Sequence, residues 1–311
     1  MSAALEVRGI TRRFGAFTAV DRVSFTVEPG QIVGFIGPNG AGKTTTMRIC
    51  ATLDLPDAGD VRVAGESVLD QPRRVRGRLG FMPDSYGAYA HTSVQEYLDF
   101  FARAYGLKGA ARKAALEQVT AFTSLDSLLD KPMAALSKGM KQRLCLAKTL
   151  LHDPQVLILD EPAAGLDPRA RVELRELVKA LAAQGKAILV SSHILTELAE
   201  MCDGVVVIER GQVKASGAVD AVTRGVTRSR QLFVRALGPP EALERALLEQ
   251  PGVTAVRAAK AGFACEVTGD EEEAARLLRR LVEGGLAVVE FAPEAVNLED
   301  VFLRLTEGKV Q

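Results

Sequence analysis

The chain has 311 residues, 47% of them hydrophobic and 25% charged, with 39 Lys plus Arg against 39 Asp plus Glu and a formal net charge of zero. This composition excludes a disordered, collagen-like or low-complexity chain, and the length allows one large domain or two smaller ones. The balanced charge leaves no global electrostatic case for nucleic acid, and no such partner is expected.

No apolar run approaches the roughly 20 residues that a membrane-spanning helix needs. Residues 1–9 alternate charged and apolar side chains in place of the apolar core of a signal peptide, so a cytoplasmic chain is expected. Residues 5–10 and 23–27 read as strands, followed by a turn at Pro29 and Gly30. Residues 31–36 form a short buried-strand pattern that runs into a glycine-rich segment, after which 43–53 read as a helix. Apolar spacing predicts helices over 94–105 and 110–123, within a helical block between Pro83 and Met133. Residues 140–151 read as a helix stopped by His152, Asp153 and Pro154, and 156–159 as a core strand. A helix over 168–183, a strand over 187–190, a short helix over 197–202 and strands over 205–209 and 212–216 follow. Strands and helices that alternate in this way predict a parallel sheet with helices on its faces.

The first domain is expected to cover 1–223, with its helical portion at about 84–150, and 224–229 to be a linker. From Arg230 the pattern resets: strand 231–236, helix 240–249, strands 253–258 and 263–268, helix 271–283 and strand 287–291. That order is the split β-α-β-β-α-β unit, so 230–311 is expected to be a small α+β ferredoxin-like domain. A last helix is predicted over 298–306, with Asn297 as its N-cap. The four cysteines, Cys50, Cys145, Cys202 and Cys265, form no CxxC pair and read as reduced, mostly buried thiols.

Three segments carry chemistry. Gly37-Pro38-Asn39-Gly40-Ala41-Gly42-Lys43-Thr44 fits G-x-x-x-x-G-K-[ST] between a strand and a helix, the context of a P-loop. Its glycines let backbone N–H groups turn inward around phosphate oxygens at a helix N-terminus. Lys43 is expected to reach the β and γ phosphates, and the Thr44 hydroxyl to bind Mg²⁺. The hydrophobic strand 156–159 ends in Asp160 and Glu161, where the first carboxylate can hold Mg²⁺ and the second can face an attacking water; a solvated strand end is the plainer alternative. At Leu136-Ser137-Lys138-Gly139-Met140-Lys141-Gln142-Arg143 a serine and a glycine precede a helix, an anion-binding arrangement or an ordinary N-cap.

Taken together, these segments, Gly165-Leu166-Asp167 and His193 resemble the nucleotide-binding subunit of an ABC transporter, with all of them in the family's order over roughly residues 5–221. The family signature is normally LSGGQ; Lys138, Met140 and Lys141 depart from it, while Ser137 and Gly139 remain. The LSKGMKQ form and Asn297-Leu298-Glu299-Asp300-Val301-Phe302 are similar to ATPases of bacterial drug and antibiotic exporters, which carry a small C-terminal accessory domain.

The resemblance implies a P-loop NTPase of the ABC type, with a β-rich and a helical subdomain, that closes as a head-to-tail homodimer around two ATP molecules. It also implies a separate membrane subunit and a location on the inner face of the cell membrane through that subunit. Phe14 stands where an aromatic residue stacks on adenine; Thr45 belongs to the P-loop; Ser137, Gly139 and Met140 would meet the γ-phosphate across the interface. His193 would hold that phosphate and orient the water, although beside Ser191 and Ser192 it also fits a hydrogen-bonded turn, and Asp167 would link the two sites. Asp84 stands where the family usually has a glutamine that contacts Mg²⁺ and the attacking water; a carboxylate there is shorter and charged and is expected to serve Mg²⁺ still.

The reading is an ATP hydrolase that powers export. Its rivals are a soluble ABC protein acting on ribosomes or DNA, and a regulatory ATP-binding module with little turnover. The cluster Arg73, Arg74, Arg76 and Arg78 reads as a solvated loop, and the acidic run 270–273 as a helix N-terminal turn.

Overall fold

The computed structural model describes residues 3–84, 87, 91–226, 229–259 and 261–293. The first part runs β1 (Leu5–Phe14), β2 (Phe17–Val27), β3 (Ile32–Ile36), α1 (Lys43–Cys50), β4 (Ala58–Val63), β5 (Glu66–Ser67), α2 (Pro72–Arg76) and β6 (Leu79–Met82). It continues through α3 (Val94–Ala104), α4 (Gly109–Phe122), α5 (Lys138–Leu150), β7 (Val156–Leu159), α6 (Pro168–Ala183), β8 (Ala187–Ser191), α7 (Leu195–Met201), β9 (Gly204–Glu209), β10 (Gln212–Ala218) and α8 (Val219–Val226). The second part is β11 (Ser229–Leu237), α9 (Pro240–Leu248), β12 (Val253–Ala259), β13 (Gly262–Thr268), α10 (Glu271–Glu283) and β14 (Ala287–Pro293). The described chain forms two compact units that divide between Val219 and Asp220. Among the described residues, no helix is long and apolar enough to cross a membrane.

In the first unit an antiparallel sheet of order β2-β1-β4-β5 packs on a sheet of order β10-β9-β3-β8-β7-β6. From β9 to β6 the second sheet is parallel, and β10 is antiparallel at its edge. Its inner strands β3, β7, β8 and β9 are buried at every position, as expected of parallel strands covered on both faces. Phe25 of β2 and Phe35 of β3 join the sheets, with ring centroids 5.4 Å apart, and Met47, Ile49 and Cys50 of α1 fill the same core. Burial pushes the Cys50 thiol up to about 12, so this cysteine is an inert packing group. The helices α3, α4 and α5 pack on one another, and Ser93 and Glu96 close a capping box at the start of α3.

The second unit is a sheet of order β12-β13-β11-β14, antiparallel throughout, the strand order of a ferredoxin-like fold. Leu232, Val234, Phe263, Cys265 and Val267 meet Leu243, Leu247, Leu277 and Leu281 of α9 and α10 in its core. Asp270 caps α10, accepting from the N–H groups of Glu272 and Glu273 at 3.1 and 3.2 Å.

Some elements differ from the sequence reading. Strands 5–10 and 23–27 are parts of one long hairpin whose register closes at Phe14 and Phe17. The strands β4, β5 and β6 are not among the elements expected from the sequence. Arg73, Arg74 and Arg76 belong to the short helix α2, and the cluster is not a free loop: Arg76 donates to Thr52 Oγ1 at 2.8 Å, while Arg74 and Arg78 pair with Glu66. Residues 224–226 of the expected linker lie in α8. Asn297 and the helix predicted over 298–306 lie outside the described residues.

Candidate active site

The strand order β3-β8-β7-β6 sets four chain segments side by side at the carboxyl edge of the parallel sheet, where open α/β sheets bind ligands. The P-loop leaves β3, Ser191 and His193 leave β8, Asp160 and Glu161 leave β7, and Asp84 follows β6. A hollow of about 410 Å³ is lined there by Phe14, Asn39, Gly40, Ala41, Gly42, Lys43, Thr44, Thr45, Asp84, Asp160 and Glu161.

The loop reaches this shape through its glycines. Gly42 has φ 99°, and a Cβ there would collide with the Ala19 carbonyl, so a side chain is excluded by conformation and by space. α1 begins at the next residue with no side-chain cap, which leaves its first N–H groups facing the loop. Lys43, a residue 9% exposed, donates through its ammonium to the carbonyl oxygens of Gly37 and Pro38 at 2.6 and 3.2 Å. Burial pulls its pKa down, opposed by the nearby charges of Glu161 and Asp160. Phe14 at the hairpin end is 49% exposed, with the Arg12 guanidinium 4.9 Å from its ring centroid.

Asp160 is 3% exposed. Burial pushes its carboxyl up, hydrogen bonds from Ser191 and Thr44 pull it down, and the charges of Asp84 and Glu161 push it up again. The hydroxyl of Thr44 and the carboxylates of Asp160 and Asp84 are hard oxygen donors, the set that suits Mg²⁺. Glu161 has φ 50°, a left-handed conformation uncommon for this residue type, and its N–H donates to Ser191 Oγ at 2.8 Å. Its Oε2 lies 2.7 Å from His193 Nδ1. An ionised carboxylate can only accept, so Nδ1 carries the hydrogen in that pair.

Ser191 is the residue that the sequence reading did not single out for the site. It is fully buried, donates to Asp160 Oδ1 at 2.7 Å and accepts from Glu161, so one hydroxyl orients both carboxylate residues. Its only sequence signal is its position at the end of an apolar strand just before His193.

Ser137, Gly139, Met140 and Asp167 come together elsewhere, around a hollow of about 170 Å³ that shares no lining residue with the first. Ser137 caps α5, accepting from Met140 N at 3.3 Å, and Asp167 caps α6, accepting from Ala170 N at 2.9 Å. The two helix starts approach closely: a Cβ on Gly139 would lie 3.1 Å from Ala170 Cβ. The atypical signature residue Lys138 reaches over Gly165 of its own chain.

Comparison with known proteins extends the likeness to nearly the whole chain. Residues 20–164 match the model of the family described as ABC transporter. Residues 217–306 match that described as ATP-binding protein DrrA1-3-like, C-terminal domain. The Nod factor export ATP-binding protein I of Paraburkholderia xenovorans is 37% identical over 310 residues, 99% of each chain. A protein of the same name from a Rhizobium species is 35% identical over 308 residues, 99% of this chain and 98% of the other. The solved structure of an ATP-binding subunit of an ABC transporter superposes with a TM-score of 0.65 at 34% identity, covering 71% of this chain and 92% of that one. The chain belongs to the ABC transporter family, as an ATP-hydrolysing subunit of an exporter.

Proposed function

We propose that the chain hydrolyses ATP in the presence of Mg²⁺ at composite sites formed when two copies close head to tail, and that closure drives a membrane partner from the inner face of the membrane. The observation that carries this reading is the separation of the two hollows. The P-loop residues line one and the signature residues line the other, with no residue in common, which supports a nucleotide bound by the P-loop of one chain and met by Ser137 and Gly139 of a second. A two-fold axis then builds the same contact twice.

Within each site Phe14 stacks on adenine, while the 37–42 loop, Thr45 and Lys43 bind the phosphates. Thr44, Asp160 and Asp84 hold Mg²⁺, which neutralises phosphate charge. Glu161 accepts the proton of the attacking water, held in place by Ser191 at its backbone and by His193 at its carboxylate. Ser137, Gly139 and Met140 of the second chain close over the γ-phosphate, and Asp167 joins one site to the other. The names of the relatives, which specify export, support outward transport.

Size-exclusion chromatography of Glu161→Gln tests the reading. An amide cannot take the water's proton, so turnover should fall about 10²-fold or more while binding survives. The closed state should then accumulate as a dimer with ATP and not with ADP. Adding Ser137→Arg should abolish the dimer. A monomer with saturating ATP would contradict the composite site.

A further inference from the structure

The helix that leaves the Gly165-Leu166-Asp167 triplet and the helix that leaves the His193 loop are joined by ion pairs to which the chemistry above gives no role. Arg171 stands in the first turn of α6. Its Nε donates to the Leu166 carbonyl at 2.9 Å and lies 3.4 Å from Glu197 Oε1, one turn beyond His193 on α7. The single Nε–H is spent on the backbone of the triplet, and the delocalised guanidinium charge faces the carboxylate of the next helix at the same time.

Glu197 depends on that cation. Its side chain is 18% exposed, and Oε1 is buried without a hydrogen bond. Burial pushes its carboxyl up, opposed first by Arg171, then by His193 and Arg175. A movement of Leu166 therefore moves the charge that Glu197 must follow, and Glu197 shares its helix with the chain leaving His193, whose Nδ1 and N–H both reach Glu161 Oε2. A second pair, Arg175 with Glu200, joins α6 to α7 farther along and does not touch the triplet.

We propose that Arg171 and Glu197 are positioning residues for hydrolysis, coupling the triplet to the His193–Glu161 hydrogen bond so that docking of the second chain at Asp167 sets the base. The proposal rests on the roles assigned above to Glu161, His193 and Asp167.

Steady-state ATPase kinetics and calorimetric ATP binding of the full chain test it, using Arg171→Ala, Arg171→Lys, the isosteric Glu197→Gln, the double variant Arg171→Ala/Glu197→Gln, Arg175→Ala and Glu161→Gln. Loss of the link should lower kcat about 10-fold to 100-fold in Arg171→Ala and Glu197→Gln, the scale of a small misplacement of a reacting group, with KM and ATP affinity within about twofold. Arg171→Lys should restore part of the loss, and the double variant should be no worse than the poorer single one, since both remove the same link. Arg175→Ala, which removes the pair with Glu200 and a lesser influence on Glu197, should lower kcat far less than Arg171→Ala does. An equal loss in Arg175→Ala, or additive losses in the double variant, overturns the coupling in favour of simple helix packing. Unchanged kcat in Arg171→Ala and Glu197→Gln, with Glu161→Gln inactive, overturns the coupling alone. Retained turnover in Glu161→Gln overturns the site assignment and the coupling with it.

Discussion

Asp160 shows how a single residue sets stability against function. Burial is the largest influence on its carboxyl and raises its pKa in the folded chain above the ordinary value. For an acid shifted in this direction, the unfolded chain ionises first as pH rises. The folded state therefore loses relative stability from about pH 4 upward, through the folded pKa. Asp160→Asn keeps the shape and removes the buried charge. At pH 7 it should raise the thermal midpoint by about 2–4 °C, the scale of ~1 kcal/mol in a domain of this size. The gain should shrink as pH falls toward 4, and Mg²⁺-dependent turnover should be lost at every pH. Differential scanning calorimetry across pH checks the sign: a midpoint lowered at pH 7 would mean that the Ser191 and Thr44 hydrogen bonds outweigh burial. Ser191→Ala should act in the opposite direction. It removes the hydroxyl that pairs with Asp160 and the Glu161 N–H, and should cost about 1–3 kcal/mol in urea unfolding together with most of the turnover.

At the scale of elements, helix starts carry both architecture and chemistry, and two serines separate the two. Ser93 caps α3 with Glu96 in a reciprocal box, and Ser137 caps α5 alone. Replacing either by alanine should cost about 1 kcal/mol of stability, because one N-terminal N–H loses its acceptor. Ser93→Ala should leave turnover per folded molecule unchanged, whereas Ser137→Ala should reduce it, since only α5 begins beside the triplet and the start of α6. Equal turnover in the two variants, at equal loss of urea stability, would make Ser137 a cap and nothing more. Both readings of that serine were legible in its sequence; the structure shows the cap, and the phosphate contact belongs to the proposed two-chain site.

At the scale of the whole molecule, every residue assigned to the site lies in the first unit, whose core joins two sheets without drawing on the second. A chain ending after Val226, so that α8 stays whole, should fold and bind ATP with unchanged affinity by calorimetry. A folded but non-binding product would place part of the site in the second unit. That unit has its own core and a complete antiparallel sheet, so it should likewise fold alone.

The sequence by itself determined the chemistry and most of the fold class. A phosphate loop, a carboxylate pair at the end of a buried strand and a capped helix start are each contiguous, because each works through backbone amides or neighbouring side chains a few residues long. The β-α-β-β-α-β order of the second unit was legible for the same reason, since periodicity is local. Only the tertiary structure decided which strands are neighbours. The place of β8 beside β7 brings Ser191 to Asp160 and Glu161, and an ion pair between α6 and α7 brings Arg171 to Glu197. These are pairings between residues distant in the chain, set by how buried faces pack, and no local pattern of residue types encodes them. The same packing gives the signature residues and the P-loop residues separate hollows with no lining residue in common, the arrangement on which the proposed two-chain site rests.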